Sequence, residues 1–340
     1  ILVSAKKKYV SPIMDAFTSH PDTVQVIGKG ETKSSVLLQS KINCDVRVVD
    51  DNEFPFALAY FTGSKEHNVE MRSRAKKYGW SLNEYGFSDI EEKEHRGKAK
   101  EIVKCKEEKD IYIALELSYV PPELRENMGE MEAAEKRNEF SLVEEKDIRG
   151  TFHCHTTYSD GKNTLEEMVN EARRLGFAYF GIADHSKVAA YANGLTPERV
   201  RAQQKNIEQL NKQFSDFKIF KGTEVDILKD GALDFDDATL ATFDYVVASV
   251  HSNFKMTEAE MTKRIIRALK NKYVTFLGHP TGRILLQRDS YPVNMLEVIN
   301  AASDYGKSIE INAHPYRLDL DWRLCKYAKE KGVKIAINPD

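Results

Sequence analysis

Two histidines flank Cys154 in the stretch GTFHCHTTYSDG, residues 150–161. In an extended strand alternate side chains point the same way, so His153 and His155 are directed at one point. Asp160 follows within the same stretch. Core packing does not require two imidazoles on one face, whereas a metal ion does. The spacing therefore predicts metal ligands, and Cys154, which points the other way, is predicted to lie in the core.

Residues of the same types recur along the chain, each at the end of a predicted strand. They are His185 in ADHS, Glu224 in GTEVD, His251 in ASVHS, His279 in LGHP and Asp340 in NPD. In a β/α barrel, the carboxyl ends of the strands build the active site. Imidazole and carboxylate donors suit zinc, manganese or iron alike. The donors are too many for one ion and predict two or three clustered metals, which activate water and neutralise charge on a phosphoryl group.

The elements that carry these residues alternate between strand-like and helix-like segments from Gly150 onward. This alternation indicates a parallel sheet, open or closed into a barrel. Thr164 and Glu167 form a capping-box pattern before one amphipathic helix, and Thr196 precedes Pro197 at the start of another. The strand candidates are TFHCH, YFGIADH, KIFKGTEV, YVVASVH, VTFLGHP, SIEINA and KIAINPD.

The preceding part of the chain has a different pattern. Residues 1–87 combine short strand patterns, TVQVIG, SVLLQS and DVRVVD, with helical stretches. Residues 88–148 are dense in charge, and we interpret them as a solvated helical connector. Three regions are thus expected, 1–87, 88–148 and 149–340.

The composition of the 340 residues excludes several classes of protein. A net charge of −3 is not that of a strongly basic nucleic-acid binder, so any nucleic-acid contact must come from local patches. The four cysteines form no CxxC pair, which favours reduced thiols in a cytoplasmic protein. The sequence contains no apolar run that is long enough to predict a membrane-spanning segment. The chain begins without methionine and stops as a strand ends, so we expect a fragment of a longer protein.

The metal-type motifs together resemble the polymerase-and-histidinol-phosphatase (PHP) domain, a distorted (βα)7 barrel with a trinuclear metal site, over residues 149–340. The resemblance implies that Glu224 bridges two metals. The first would be held by His153, His155, Glu224 and Asp340, the second by Glu224, His251 and His279, and the third by Asp160 and His185. The family has one more histidine just past Asp340, so the domain is expected to continue there. Arg283 and Arg317 are candidates for binding phosphate or, equally, for surface ion pairs.

The motifs CDVRVVD and YFTGSKEHNVEMRSRAKKYGWSLNEYGF resemble the palm and thumb of family X DNA polymerases. The resemblance implies that Asp45 is the third catalytic carboxylate of the polymerase site. It further implies contacts to DNA or nucleotide from Lys33, Arg47, Tyr60, Phe61, Gly63, Asn68 and Arg72. The first two carboxylates of that family form an Asp-x-Asp pair, which we expect immediately before Ile1. Without the pair the 340 residues should not polymerise DNA, because one carboxylate cannot hold the two Mg²⁺ or Mn²⁺ ions of the intact site.

The resulting prediction is an α/β protein, with a partial palm and thumb followed by a PHP barrel. Its function would be that of a bacterial-type family X DNA polymerase with a 3′–5′ exonuclease, acting in DNA repair on gapped or primer–template DNA. Glu224 and Asp45 are the predicted catalytic residues. The predicted cofactors are two or three divalent ions, Mn²⁺ or Zn²⁺. Deoxynucleoside triphosphates are the predicted substrates of the intact protein. Two alternatives remain open: a phosphomonoesterase of the histidinol-phosphatase kind, and a non-catalytic scaffold that docks DNA.

Overall fold

The structure, a computed structural model, describes residues 1–90 and 103–340. They form two compact units, Ile1–Leu142 and Val143–Asp340. No helix within the described ranges is both long and apolar enough to cross a membrane. The sequence predicted three regions with boundaries near residues 87 and 148, whereas the structure divides into two units. These predicted boundaries therefore stay predictions. Part of the charged stretch, residues 91–102, lies outside the described residues.

The first unit begins with a four-stranded sheet in the order β1-β4-β3-β2. Its strands are β1 Leu2–Ser4, β2 Thr23–Lys29, β3 Lys33–Leu38 and β4 Asn43–Val49. β1 is parallel to β4, and the other pairs are antiparallel. Helix α1, Val10–Thr18, packs Met14 against Val46 and Val48 of β4. Because side chains alternate along a strand, Asp45 lies on the opposite face of β4, where it is exposed.

Two helices and a hairpin follow. They are α2 Phe54–Thr62, α3 Lys65–Lys77, β5 Trp80–Asn83 and β6 Gly86–Asp89. Pro55 lies in the first turn of α2, where its missing N–H would have no intrahelical partner. Gly63 has a φ of 76° at the end of α2, a conformation that favours glycine. Ser64 then begins α3 by accepting a hydrogen bond from the N–H of His67.

The described part of the charged stretch contains helices α4, Glu108–Ala114, and α5, Glu130–Glu135. Its apolar residues share a core with α2 and α3. The buried members of this core include Phe56, Met71, Ile111, Tyr112 and Leu115. Most apolar positions of IYIALEL are thus buried although charged residues surround them in the sequence, whereas Ile113 is exposed. The described part of the charged stretch therefore contributes to a core, and its role as a connector stays a prediction.

The second unit is built on a seven-stranded parallel sheet in which the strands follow one another in chain order. They are β7 Gly150–Thr151, β8 Tyr179–Ile182, β9 Lys218–Asp226, β10 Tyr245–Ser249, β11 Phe276–Leu277, β12 Ser308–Asn312 and β13 Ile335–Asn338. The edges meet where the N–H of Asp340 donates to the carbonyl of His153 over 3.0 Å. The sheet is thus a nearly closed barrel, which confirms the predicted α/β fold.

Helices cover the outside of this barrel. They are α6 Leu165–Arg174, α7 Pro197–Asn211, α8 Asp237–Leu240, α9 Glu258–Leu269, α10 Met295–Asp304 and α11 Cys325–Glu330. The predicted capping box of Thr164 and Glu167 is present at the start of α6, and Thr196 caps α7. Ile265 of α9 and Val298 of α10 are fully buried in the main core of the barrel.

The strand predicted from TFHCH is shorter in the structure. β7 ends at Thr151, so His153 and His155 lie in the segment that follows it. The side chain of Asn338 accepts the N–H of Phe152 over 2.9 Å and takes the place of a backbone partner there. The two histidines flank Cys154, which is buried in an apolar cluster. Their rings lie close together, with centroids 5.3 Å apart.

Candidate metal centre

The predicted ligands converge at the carboxyl end of the barrel strands. Glu224 lies within β9, and the others lie in the segments that follow their strands, Asp160 farthest from its strand. The carboxylate of Glu224 is fully buried at the middle of the cluster. Its Oε1 atom lies 2.9 Å from His279 Nε2 and 3.1 Å from His251 Nε2, and its Oε2 atom lies 3.0 Å from His185 Nδ1. One carboxylate therefore faces imidazoles from three other strand ends.

Asp340 joins the cluster from the end of β13. Its Oδ1 atom lies 3.0 Å from His155 Nε2 and 3.4 Å from His153 Nε2. His153 Nε2 is also 3.4 Å from Glu224 Oε1. These four side chains can each place one ligand atom within 4.8 Å of the others. They are the set that the resemblance to the PHP domain implied for the first metal.

Asp160 lies at the edge of the cluster and is exposed. Its two oxygens are 3.8 Å from His155 Nδ1 and 3.7 Å from His185 Nε2. The three residues form a second possible ligand group, and His185, Glu224 and His251 form another. His185 thus belongs to two groups, whereas the sequence assigned it to one. The structure brings all eight predicted ligands together, and their division among ions stays a prediction.

The electrostatics of the cluster favour ionised carboxylates. Burial by itself raises the pKa of Glu224, but the charges of the surrounding imidazoles, His251 first, hold this pKa well below its usual range. Burial lowers the pKa of His251, yet the charge of Glu224 and a hydrogen bond to Asp226 raise it to about 10. The pKa of Asp340 is likewise held well below normal by His153 and His155. A divalent cation would bind these ionised oxygens and take the place of the imidazole protons, because histidine binds metals in its neutral form.

Several buried atoms of the cluster have no hydrogen-bond partner among the described residues. They are His153 Nε2, His155 Nδ1, His185 Nδ1, His279 Nδ1 and Glu224 Oε2. Buried polar groups are normally satisfied, so a group of such atoms in one place calls for a ligand. Nitrogen and oxygen donors of this kind fit divalent metals. The residues present are therefore suited to the ions that the sequence predicted.

Three buried carboxylates of the site were not among the predicted residues. Glu310 Oε1 lies 2.7 Å from His153 Nδ1, and Asp226 Oδ1 lies 3.2 Å from His251 Nδ1. Asp184 accepts hydrogen bonds from the backbone and hydroxyl of Thr156, at 2.8 and 2.7 Å. The sequence offered one signal for such residues, a charged residue within an apolar strand pattern, as in SIEIN. A charged side chain that is buried in a strand requires a partner.

The cluster opens into a cavity of about 680 Å³. Arg317, predicted as a phosphate-binding or surface residue, lines this cavity, and its Nε lies 3.5 Å from Asp340 Oδ2. Arg283 instead donates to the carbonyl of Arg317 over 2.9 Å and pairs with Asp321 over 3.0 Å. Arg317 therefore remains a candidate for binding an anion, while Arg283 has a structural role in holding the loop of Arg317. Cys154 is buried among apolar residues, as predicted.

The predicted polymerase residues lie in the first unit. Lys33 Nζ pairs with Asp45 Oδ2 over 2.8 Å, and this hydrogen bond lowers the pKa of Asp45. The guanidinium of Arg47 lies over the ring of Phe61, 5.1 Å from its centroid.

The next segment places Asn68 Nδ2 2.8 Å from the carbonyl of Tyr60. Arg72 lines a small cavity together with Tyr60 and Asn68, and Gly63 ends α2. The structure thus groups these residues locally, and their roles stay predictions.

Two family models match the chain, the DNA polymerase beta thumb at residues 57–126 and the PHP domain at residues 151–314. Among curated proteins, "DNA polymerase/3'-5' exonuclease PolX" of Bacillus subtilis is 40% identical over 322 residues, covering 94% of this chain and 55% of that protein. The chain thus spans about half the length of PolX.

Two further similarities are more limited. "Probable phosphatase Teth514_1060" of Thermoanaerobacter sp. is 33% identical over 199 residues, covering 55% of this chain and 76% of that protein. Among solved structures, the ternary P/T complex of Leishmania infantum polymerase beta is 23% identical, covers 37% of this chain and 58% of that chain, and has a TM-score of 0.31.

Proposed function

The chain belongs to the PHP family and has a polymerase-beta-type thumb ahead of its PHP domain, and on this premise we propose that it hydrolyses the phosphodiester at DNA 3′ ends as part of a family X DNA polymerase. The observation that carries the proposal is the convergence of His153, His155, Glu224 and Asp340 with unsatisfied, buried ligand atoms. Clustered divalent ions in such a site would activate water and neutralise phosphoryl charge.

The ligands of the proposed ions would be those predicted from the sequence. His153, His155, Glu224 and Asp340 would hold the first ion, Glu224 with His251 and His279 the second, and Asp160 with His185 the third. The second ion of this division is supported by Glu224 Oε1, which faces both His251 and His279. Mn²⁺ and Zn²⁺ both suit this donor set.

The surrounding carboxylates would fix the proton of each ligand imidazole. Glu310 accepts the proton of His153 Nδ1, which leaves Nε2 with its lone pair toward Glu224 and Asp340. Asp226 does the same for His251 Nδ1. Such outer carboxylates set the tautomer and orientation of metal-bound histidines. Arg317 has a buried Nη1 atom without a hydrogen-bond partner among the described residues, and it would orient the phosphate.

The same proposal includes a DNA polymerase function for the intact protein. Asp45 would be one carboxylate of a site that binds Mg²⁺ or Mn²⁺. Lys33, Arg47, Tyr60, Phe61, Gly63, Asn68 and Arg72 would contact primer–template or gapped DNA and the incoming deoxynucleoside triphosphate. The 40% identity to PolX supports this assignment. A role in DNA repair and a cytoplasmic location complete the proposal.

A second candidate is hydrolysis of phosphomonoesters, supported by the identity of 33% to a probable phosphatase. The two activities differ in substrate. A phosphomonoesterase would cleave a small phosphate ester and leave a DNA chain with a 3′ hydroxyl intact, whereas the exonuclease would shorten it.

The test uses a 5′-labelled oligonucleotide annealed in a gapped duplex, with Mn²⁺, beside p-nitrophenyl phosphate as the monoester. We expect a ladder that shortens from the 3′ end and disappears in His153→Ala. His20→Ala, which removes an exposed histidine of the first unit, is the matched control and should retain the activity. Hydrolysis of the monoester alone would establish the second candidate. Metal binding without turnover of either substrate would instead support a DNA-docking scaffold.

A further inference from the structure

An exposed aromatic residue stands at the mouth of the metal centre. The side chain of Tyr191 is 72% exposed, and its ring lies 6.2 Å from the ring of His185 and 6.5 Å from that of His251. Tyr191 lines the same cavity as the predicted ligands. A large aromatic side chain presented to solvent directly beside a phosphoester site is not explained by packing of the core.

The loop that carries Tyr191 is anchored by its other residues. Ala189, Ala192 and Leu195 are buried, and the N–H of Leu195 donates to the carbonyl of His185 over 2.8 Å. At Gly194 an added Cβ would lie 1.9 Å from the carbonyl oxygen of Ser186, so this position requires glycine. The backbone is therefore held close to the centre without any contribution from the tyrosine ring, which forms a preorganised surface.

A second tyrosine lines the same cavity from another loop. Tyr316 is 54% exposed, and its carbonyl accepts the N–H of Leu285 over 2.5 Å. The next residue, Arg317, contributes a guanidinium whose Nη1 atom is buried without a partner among the described residues. Lys162, also on the cavity wall, is exposed. Two aromatic rings and two cationic side chains thus surround the opening.

We propose that Tyr191 and Tyr316 stack against bases of the DNA strand whose 3′-terminal phosphodiester enters the metal centre. Proteins that bind single strands combine aromatic faces for the bases with cationic groups for the phosphates, and the cavity wall provides both. This inference rests on the proposed function, because it concerns the same site. It adds that the site recognises the nucleobase as well as the phosphodiester, without preference for a particular base, since every base has a π face.

The test compares two 5′-labelled single strands that differ only in whether the last two nucleotides carry bases or are abasic. We expect the unaltered chain to show a KM for the base-bearing strand lower by on the order of tenfold to a hundredfold. Tyr191→Ala and Tyr316→Ala should each raise this KM and leave the KM for the abasic strand unchanged. Tyr191→Phe, which keeps the ring, should behave like the unaltered chain.

Two controls separate base binding from a structural role. Tyr305→Ala removes another exposed tyrosine, at the end of α10 and away from the cavity, and should change neither KM. The content of bound Mn²⁺ should be the same in all the variants. A loss of Mn²⁺ from Tyr191→Ala, or an equal loss of activity on both strands, would mean that the ring only supports the ligands and would overturn the inference.

Fluorescence anisotropy, measured in the presence of a chelator, monitors the binding of both strands. This readout does not require hydrolysis. Tighter binding of the base-bearing strand, lost in Tyr191→Ala, supports the base site even if neither strand is cleaved, in which case the proposed nuclease function fails. Cleavage of both strands with equal KM, unchanged in Tyr191→Ala, supports the nuclease and overturns the base site.

Discussion

Glu310 and His153, 157 positions apart in the chain, form a fully buried pair in which Glu310 Oε1 lies 2.7 Å from His153 Nδ1. The other oxygen of Glu310 accepts the backbone N–H of His279 over 2.7 Å. A single carboxylate of β12 therefore orients one predicted ligand through its ring and another through its backbone. Neither contact was predicted from the sequence.

We expect Glu310→Gln to weaken metal binding by about 10-fold to 100-fold, because a neutral amide is a weaker acceptor for the proton of His153 Nδ1. Titration of the metal-free chain with Mn²⁺ in a calorimeter measures the affinity directly. Glu330→Gln makes the same chemical change at an exposed position of α11 and should leave the affinity as it was. Equal affinities in the two variants would show that Glu310 does not act through His153.

Asp184 should maintain the loop that carries Asp160. Besides Thr156, it accepts a hydrogen bond from Gln203 Nε2 over 2.6 Å and another from the hydroxyl of Ser159. Asp184→Asn replaces one acceptor oxygen with an amide NH₂ group, which cannot accept a hydrogen bond from these donors. We therefore expect the free energy of unfolding to fall by about 1–3 kcal/mol. Hydrogen exchange should accelerate at residues 156–161. Asp289→Asn, at an exposed position, is the control, and unchanged exchange in Asp184→Asn would contradict this role.

Metal binding should stabilise the second unit. An ion that binds only the folded chain adds about 2.7 kcal/mol per site at a concentration one hundred times its Kd. We therefore expect the melting temperature to rise with added Mn²⁺ and to fall again with chelator. The increment should be reduced in His153→Ala and retained in His20→Ala. A melting temperature that does not respond to Mn²⁺, Zn²⁺ or chelator would exclude these residues as a metal centre.

Acid should destabilise the first unit through His67. This imidazole is buried between Glu130 Oε1, at 2.8 Å, and the hydroxyl of Tyr112, at 2.9 Å. Burial lowers the pKa of His67 despite the opposing effect of Glu130. The unfolded chain therefore takes up a proton near pH 6.5 that the folded chain resists, and stability falls as the pH drops below that value, by at most about 1.4 kcal/mol per pH unit.

Glu130 acts in the same direction at lower pH. Hydrogen bonds from His67 and from backbone N–H groups overcome the effect of burial and lower the pKa of Glu130, so the stability that it contributes is lost as the pH falls below about 4.5. Trp80 fluorescence reports on this unit once the other tryptophan is removed by Trp322→Phe. In that background, His67→Gln should flatten the fall in stability between pH 7 and pH 5. An unchanged slope would mean that another group is responsible.

The sequence was sufficient for everything that depends on local pattern. The alternation of strands and helices after Gly150, the caps at Thr164 and Thr196, and the recurrence of histidines at strand ends follow from periodicity and hydrogen bonding over a few residues. The parallel arrangement then requires those ends to meet at one edge. This is why the eight candidate ligands could be named before the fold was known.

Tertiary structure alone decided which groups lie around those ligands. The length of β7 and the core to which part of residues 103–142 contributes depend on contacts between residues distant in the chain. The pairing of Glu310, Asp226 and Asp184 with their partners depends on such contacts too. Strand register and helix packing set these contacts, and no short-range pattern encodes them. The position of Tyr191 has the same origin, because its exposure beside His185 results from how the buried residues of its loop pack.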